Sequence, residues 1–167
     1  TELVKEVSSG SSGIQGEIYM SKKELSQAQA AQTLLWEWAG FRFGSPLLQL
    51  GMTLKRGFIK KIKDIILLTD YQQAFNIIDP VAVAALSRSK KKEAIFGGYA
   101  SGLYSYACIA ENIGIMDVKF HSVISWGDKM FPSYRTKIER VFKTKVFDVY
   151  GSTEGLAIAG QCDFGSY

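Results

Sequence analysis

The sequence predicts an α/β domain, a largely parallel β-sheet flanked by helices. Three observations carry that prediction. From Ile65 onward, apolar runs of strand length alternate with stretches of helical spacing, joined by short links. Helix-start residues follow those runs: Asp79-Pro80, Ser101 and Pro132 are each placed to open a helix. Three glycine-containing segments, Gly97-Gly98, Gly127-Asp128-Lys129 and Tyr150 to Glu154, stand at the expected C-terminal ends of strands. In open parallel sheets that rim is where ligands bind.

In order along the chain, Leu3, Val4 and Val7 suggest a short strand, and Ile14 to Met20 a second, with a serine-glycine loop between them. Ser21-Lys22-Lys23-Glu24 is a capping box. The helix it opens is expected to run to about Ala39 on Leu25, Ala28, Ala31, Leu35 and Trp38, with Gly40 to stop it. Trp36 and Trp38 read as core or subdomain contacts. Gly44-Ser45-Pro46 marks a turn and Leu47 to Met52 a buried strand. Lys55 to Lys63 is a basic connection, and Ile65-Ile66-Leu67-Leu68 is the clearest apolar strand. Val81, Ala84, Ala85 and Leu86 give the helix after Asp79-Pro80 its apolar side. Ala94 to Phe96 is expected as a short strand ending at Gly97-Gly98. Ser101 is placed to cap a helix through Tyr104, Ala107, Cys108 and Ala110, which Gly114 terminates. Phe120 to Ile124 reads as a strand and Trp126 to Lys129 as a polar loop. Pro132 then starts a helix bearing Ile138, Val141 and Phe142, and Lys145 to Val149 is the last expected strand.

At 167 residues, 47% apolar and 22% charged, residues 1–167 fit one globular domain. No apolar run is long enough to span a membrane. Thr1 to Lys5 has neither the basic start nor the apolar centre of a signal peptide. Cys108 and Cys162 lie far apart and match no zinc or redox spacing, which points to reduced thiols and a cytoplasmic protein. Lys and Arg outnumber acidic residues by 20 to 16 and gather at Lys55 to Lys63 and Arg88 to Lys92. Such runs are more often solvated surface than a nucleic-acid footprint, so no nucleic-acid partner is expected. His121, the one histidine, has no evident partner to make it a catalytic base.

The chemistry concentrates in two loops. Tyr150, Gly151, Ser152, Thr153 and Glu154 offer, in sequence, an aromatic face, a close backbone approach, two hydroxyl donors and a carboxylate. A flat base, a phosphate and a hard cation such as magnesium would each find a fitting group there. Ser8, Ser9, Gly10, Ser11, Ser12 and Gly13 lack the Gly-Lys-Ser/Thr of a Walker A loop. Successive backbone N–H groups and serine hydroxyls in such a loop can still form an anion nest. The same composition also reads as a flexible linker.

Together, these two loops resemble the two signatures of adenylate-forming enzymes, in the right order. The segments between them are similar to the phenylacetate–CoA ligase branch and, within it, to CapK-like proteins associated with capsular polysaccharide genes. Those segments are Phe96 to Ser101, Trp126-Gly127-Asp128-Lys129 and Arg135 to Phe142. The resemblance covers essentially the whole chain. It implies activation of a small carboxylic acid by ATP and magnesium (Mg2+), giving an acyl-adenylate and then, with coenzyme A, a thioester. It places Ser8 to Gly13 on the triphosphate, Gly127, Asp128 and Lys129 beside the adenine, and Tyr150 stacked on it. Thr153 would meet the α-phosphate and Glu154 the magnesium ion. Departures exist: Ile14-Gln15-Gly16-Glu17 replaces a proline and a basic residue, and Asp128 stands where glutamate is commoner. The family's N-terminal part and its C-terminal lid domain, with the catalytic lysine, have no counterpart here. The expectation is therefore the ATP-binding part of a longer enzyme, inactive alone, whose missing C-terminal domain is its partner. The competing reading is a non-catalytic nucleotide-binding or scaffold protein in polysaccharide assembly.

Overall fold

The computed structural model of the chain describes residues 3–7, 16–51, 62, 65–66, 69–73, 81, 83–84, 88, 93–152 and 156–167. It has a six-stranded sheet with helices on both faces, and a separate two-stranded ladder. The ladder pairs β1 (Leu3–Val7) with β2 (Glu17–Ser21) in antiparallel register, Leu3 opposite Ser21 and Val7 opposite Glu17. Glu17 takes an ion pair from Lys5 at 2.5 Å and a hydrogen bond from the Tyr19 hydroxyl at 3.0 Å.

Helix α1 (Lys22–Trp38) begins at the expected capping box: the Ser21 hydroxyl accepts from the Glu24 amide, and the Glu24 carboxylate accepts from the Ser21 amide at 2.7 Å. Its end is a Schellman motif. Gly40, at φ 88°, donates to the Glu37 carbonyl, and Phe41 donates to that of Trp36. The Phe41 ring then meets the Trp36 ring edge-on at 5.9 Å, the apolar contact that commonly accompanies this motif.

The large sheet contains β3 (Leu47–Gly51), β4 (Thr69–Gln73), β5 (Ala94–Tyr99), β6 (Phe120–Trp126), β7 (Val146–Ser152) and β8 (Leu156–Gly160). Their order is β4-β3-β5-β6-β7-β8, parallel from β4 to β7, with β8 antiparallel at one edge. Side chains alternate between the two faces. Leu48, Phe96, Val123 and Val146 pack under α2 (Ala100–Asn112) and α3 (Pro132–Phe142). Leu47, Ile95, Ile124 and Phe147 face the other way, toward Leu35 and Trp36 of α1. A parallel sheet covered on both faces needs such continuous apolar strands. Fully buried Phe96 centres one side, stacked on Phe120 at 4.4 Å; a side chain of its size contributes about 3 kcal/mol on burial.

Several expectations are corrected. Ile65 and Ile66 are helical and 75% and 63% exposed, while the strand begins at Thr69. A short apolar run does not distinguish strand from helix, and β4, as an edge strand, tolerates the polar sequence Thr-Asp-Tyr-Gln-Gln. In the next helical segment Ala84 is buried as expected, but Val83 rather than Val81 is buried with it. Gly97 and Gly98 lie inside β5, paired with Ile124 and Ser125 of β6, and close neighbours leave no room for a side chain: a Cβ at Gly97 would come within 2.6 Å of the Trp126 ring, and one at Gly98 within 3.0 Å of Leu50. Ser101 does not cap α2, whose N-cap residue is Tyr99. Trp38 is half exposed rather than core. Lys145 to Val149 is not the last strand, since β8 follows.

Candidate functional site

Strands β6 and β7 run parallel, so the residues that follow them emerge on one rim. There a cavity of about 720 Å³ is lined by Gly127 to Met130, by Asp148 to Gly151, by Ala159 of β8 and by Tyr167. Gly127-Asp128-Lys129 and Tyr150-Gly151, distant in the sequence and expected on one rim, are thus walls of one space. The volume suits a small-molecule ligand, and its mix of apolar lining and few polar groups is usual for such sites.

Tyr150 is 62% exposed, its ring available to a planar ligand. It sits in β7 rather than in a turn, as do Gly151 and Ser152, because β8 returns antiparallel beside them with a register shift at Tyr150/Gly151. Bulges of this kind re-aim side chains beside sites. Ser152 is half-buried. Thr153 and Glu154, and the whole of Ser8, Ser9, Gly10, Ser11, Ser12 and Gly13, lie outside the described residues. Most of the Lys55 to Lys63 and Arg88 to Lys92 runs also lies outside; Arg88 makes a two-pronged pair with Asp117 at 3.1 and 2.5 Å.

Sequence reasoning missed Asp148. It is buried in the cavity wall, where the Ser125 hydroxyl donates to Oδ1 and the Tyr167 phenol to Oδ2. Its backbone N–H donates to Gln161 Oε1 at 3.3 Å, and its carbonyl accepts from the Gln161 amide at 2.9 Å. Arg135 holds Gln161 in turn, donating to Oε1 at 2.5 Å. Burial, and then the hydrogen bond to Asp148, push the Tyr167 phenol up to about 12. A lone acid in the apolar strand Val146-Phe147-Asp148-Val149 was the available signal, since carboxylates are seldom buried without a task.

Asp128 points to the neighbouring helix. Its Oδ1 accepts from the Ala100 amide at 2.5 Å and its Oδ2 from the Ser101 amide at 3.0 Å. Lys129 is exposed at the cavity mouth, its ammonium 5.2 Å from the centre of the Phe131 ring. No cluster of three or more metal-ligating side chains occurs among the described residues. The backbone amides of Phe164 and Ser166 lower the Cys162 thiol below its ordinary value. His121 is exposed and packs over Gly40, far along β6 from the cavity. No described helix is long and apolar enough to cross a membrane.

No family model and no curated protein matches the sequence. Solved structures do match by fold. ATP-bound MatB from Rhodopseudomonas palustris has a TM-score of 0.67 at 13% identity, over 97% of this chain and 31% of that one. A 2-hydroxyisobutyryl-CoA ligase in complex with 2-HIB-AMP and CoA has 0.69 at 14%, over 95% and 36%. A malonyl-CoA ligase with methylmalonyl-CoA and AMP bound has 0.66 at 13%, over 97% and 35%. The chain therefore has the α/β fold of part of these ligases and spans about a third of their length.

Proposed function

We propose that this chain is the nucleotide-binding part of an adenylate-forming ligase of the phenylacetate–CoA ligase and CapK-like branch. The observation that carries the reading is the meeting of Gly127 to Lys129 with Tyr150 and Gly151 around one cavity at the C-terminal ends of β6 and β7. Tyr150 would stack on the adenine, and Gly151 would let backbone approach it. Asp148 would accept from the exocyclic amine, the Tyr167 phenol yielding its place on Oδ2. The resemblance assigns Ser8 to Gly13 to the triphosphate, Thr153 to the α-phosphate and Glu154 to magnesium. Other parts of a longer polypeptide, including a C-terminal domain, would complete the constellation.

In the proposed reaction a substrate carboxylate oxygen attacks the α-phosphorus of ATP. A new P–O bond forms as the bond to the bridging oxygen breaks, and pyrophosphate departs with that electron pair. The coenzyme A thiol, losing its proton to solvent, then attacks the acyl carbon; a C–S bond forms as the acyl C–O bond breaks, and AMP leaves with that electron pair. No protein nucleophile is needed; donors aimed at the developing phosphate charge do most of the work. A role in capsular polysaccharide synthesis follows from the CapK likeness alone. Glu17, the feature that leans toward a non-catalytic scaffold, already has a structural task in its pairing with Lys5.

The test is acid-dependent exchange of labelled pyrophosphate into ATP by the longer polypeptide that carries this chain together with the C-terminal domain, over a panel of carboxylic acids. Exchange is expected, with losses of about a hundredfold in Thr153→Ala and Glu154→Ala. Nucleotide binding without exchange for any acid would favour the scaffold reading, and undiminished exchange in both variants would remove these residues from the site.

A further inference from the structure

We propose that Asp128 is a positioning residue, whose carboxylate pins the loop between β6 and α3 to the first turn of α2 and so fixes one wall of the cavity. The functional consequence rests on the nucleotide reading above; the pinning itself does not.

The argument starts at α2. The first N–H groups of a helix have no partner within it, and a side-chain oxygen at the N-cap commonly satisfies one. Tyr99 supplies no such bond. Asp128 supplies two from a distant part of the chain, one oxygen on Ala100 N and the other on Ser101 N. A carboxylate is the strongest acceptor for this place, because it also meets the positive end of the helix dipole.

The backbone beside it is shaped for the same contact. Gly127 has φ 82°, and a Cβ there would come within 2.4 Å of the Tyr99 ring. One strand earlier in the layer, Gly97 lies as close to the Trp126 ring. The ends of β5 and β6 are thus closed on each other twice, and the Asp128 hydrogen bonds lock the second closure. Immediately after it come Lys129 and Met130, both lining the cavity. With both oxygens turned to α2, Asp128 acts on a ligand through the loop it holds, not through its own carboxylate. Its charge also occupies the helix N-terminus, so a phosphate is not drawn there and is left to the other rim loops.

Two measurements on the protein decide this. In NMR hydrogen exchange on the wild type, the Ala100 and Ser101 amide protons should resist exchange as strongly as those later in α2. If they do not, the pin is absent and the proposal falls, whether or not any variant folds. With a non-hydrolysable ATP analogue, Asp128→Ala should weaken binding about tenfold, and Asp128→Asn, which keeps one acceptor oxygen, should restore most of it. Equal damage in both would mean that the charge itself touches the ligand or its metal, and overturns the positioning role. Wild-type affinity in Asp128→Ala overturns it too. If the wild type binds no nucleotide, that reading fails while the pin is judged by hydrogen exchange: faster exchange across residues 127–130 in Asp128→Ala supports it, and unchanged exchange rejects it.

Discussion

Single residues show most clearly where energy and chemistry part. Tyr150 is exposed and contributes little packing, so Tyr150→Ala should leave stability within about 0.5 kcal/mol of wild type. The same change should cost about 1–3 kcal/mol of nucleotide affinity, the worth of one base stacked on an aromatic ring, read by calorimetry against an ATP analogue. Unchanged affinity would take Tyr150 out of the site. Lys143 is the opposite case, a residue with a local energetic cost and no role in the cavity. It ends α3 in the left-handed region, at φ 53° and ψ 37°, where a Cβ crowds the following carbonyl. Lys143→Gly should raise stability by about 0.5–1 kcal/mol, seen as a higher urea midpoint, the glycine's own entropy offsetting part of the relief. The motif residues Tyr150 and Gly127 were legible as strand-end candidates from residue type, and both line the cavity. Asp148 was not, because its use depends on Ser125 and Tyr167, which no local pattern connects to it.

Elements defined by local signals were readable, and those defined by distant partners were not. The start and stop of α1 follow from Ser21, Glu24 and Gly40, all within a turn of the ends they set. Gly114 does the same for α2, donating to Glu111 while Ile115 donates to Ala110. The strand state of Tyr150 to Ser152 depends on β8, and the start of α2 on Asp128; neither is visible from the residues themselves. The segment after β8 belongs to this second group. Gly165 donates to the Cys162 carbonyl and Cys162 to that of Ser166, a turn that returns Tyr167 to Asp148. The raised Tyr167 phenol gives that return a pH signature. The folded value, about 12, exceeds the ordinary tyrosine value near 10 of an unfolded chain. The contribution is therefore complete below about pH 10 and is lost as pH rises toward about 12. Denaturation midpoints should fall across that window, and Tyr167→Phe should flatten the fall attributable to this group. An unaltered slope in the variant would show that the phenol is not held on Asp148 in solution.

At the scale of the molecule, the alternation of strand and helix was enough to predict a parallel sheet, because parallel strands covered on both faces carry near-continuous apolar runs. It did not predict which apolar run would join: Ile65 and Ile66 have the composition of a central strand, yet the edge position went to Thr69–Gln73. The proposed function needs something larger, that loops from two ends of the sequence converge on one anion. Ser11 and Thr153 are the natural probes, being hydroxyls assigned to adjoining phosphates. Residues that share a ligand atom or its neighbour show coupling of about 0.5–3 kcal/mol, whereas sites more than about 7–10 Å apart simply add. In pyrophosphate exchange by the longer polypeptide, Ser11→Ala and Thr153→Ala should each be slow, and the double variant should be at least severalfold faster than the product of the two losses. The reason is physical: once one donor is gone the phosphate is less well held, and the second donor has less left to stabilise. Losses that multiply within about twofold would mean that the serine-glycine loop and the Tyr150 to Glu154 segment act on separate sites, and the single-cavity reading would then have to give up its triphosphate loop.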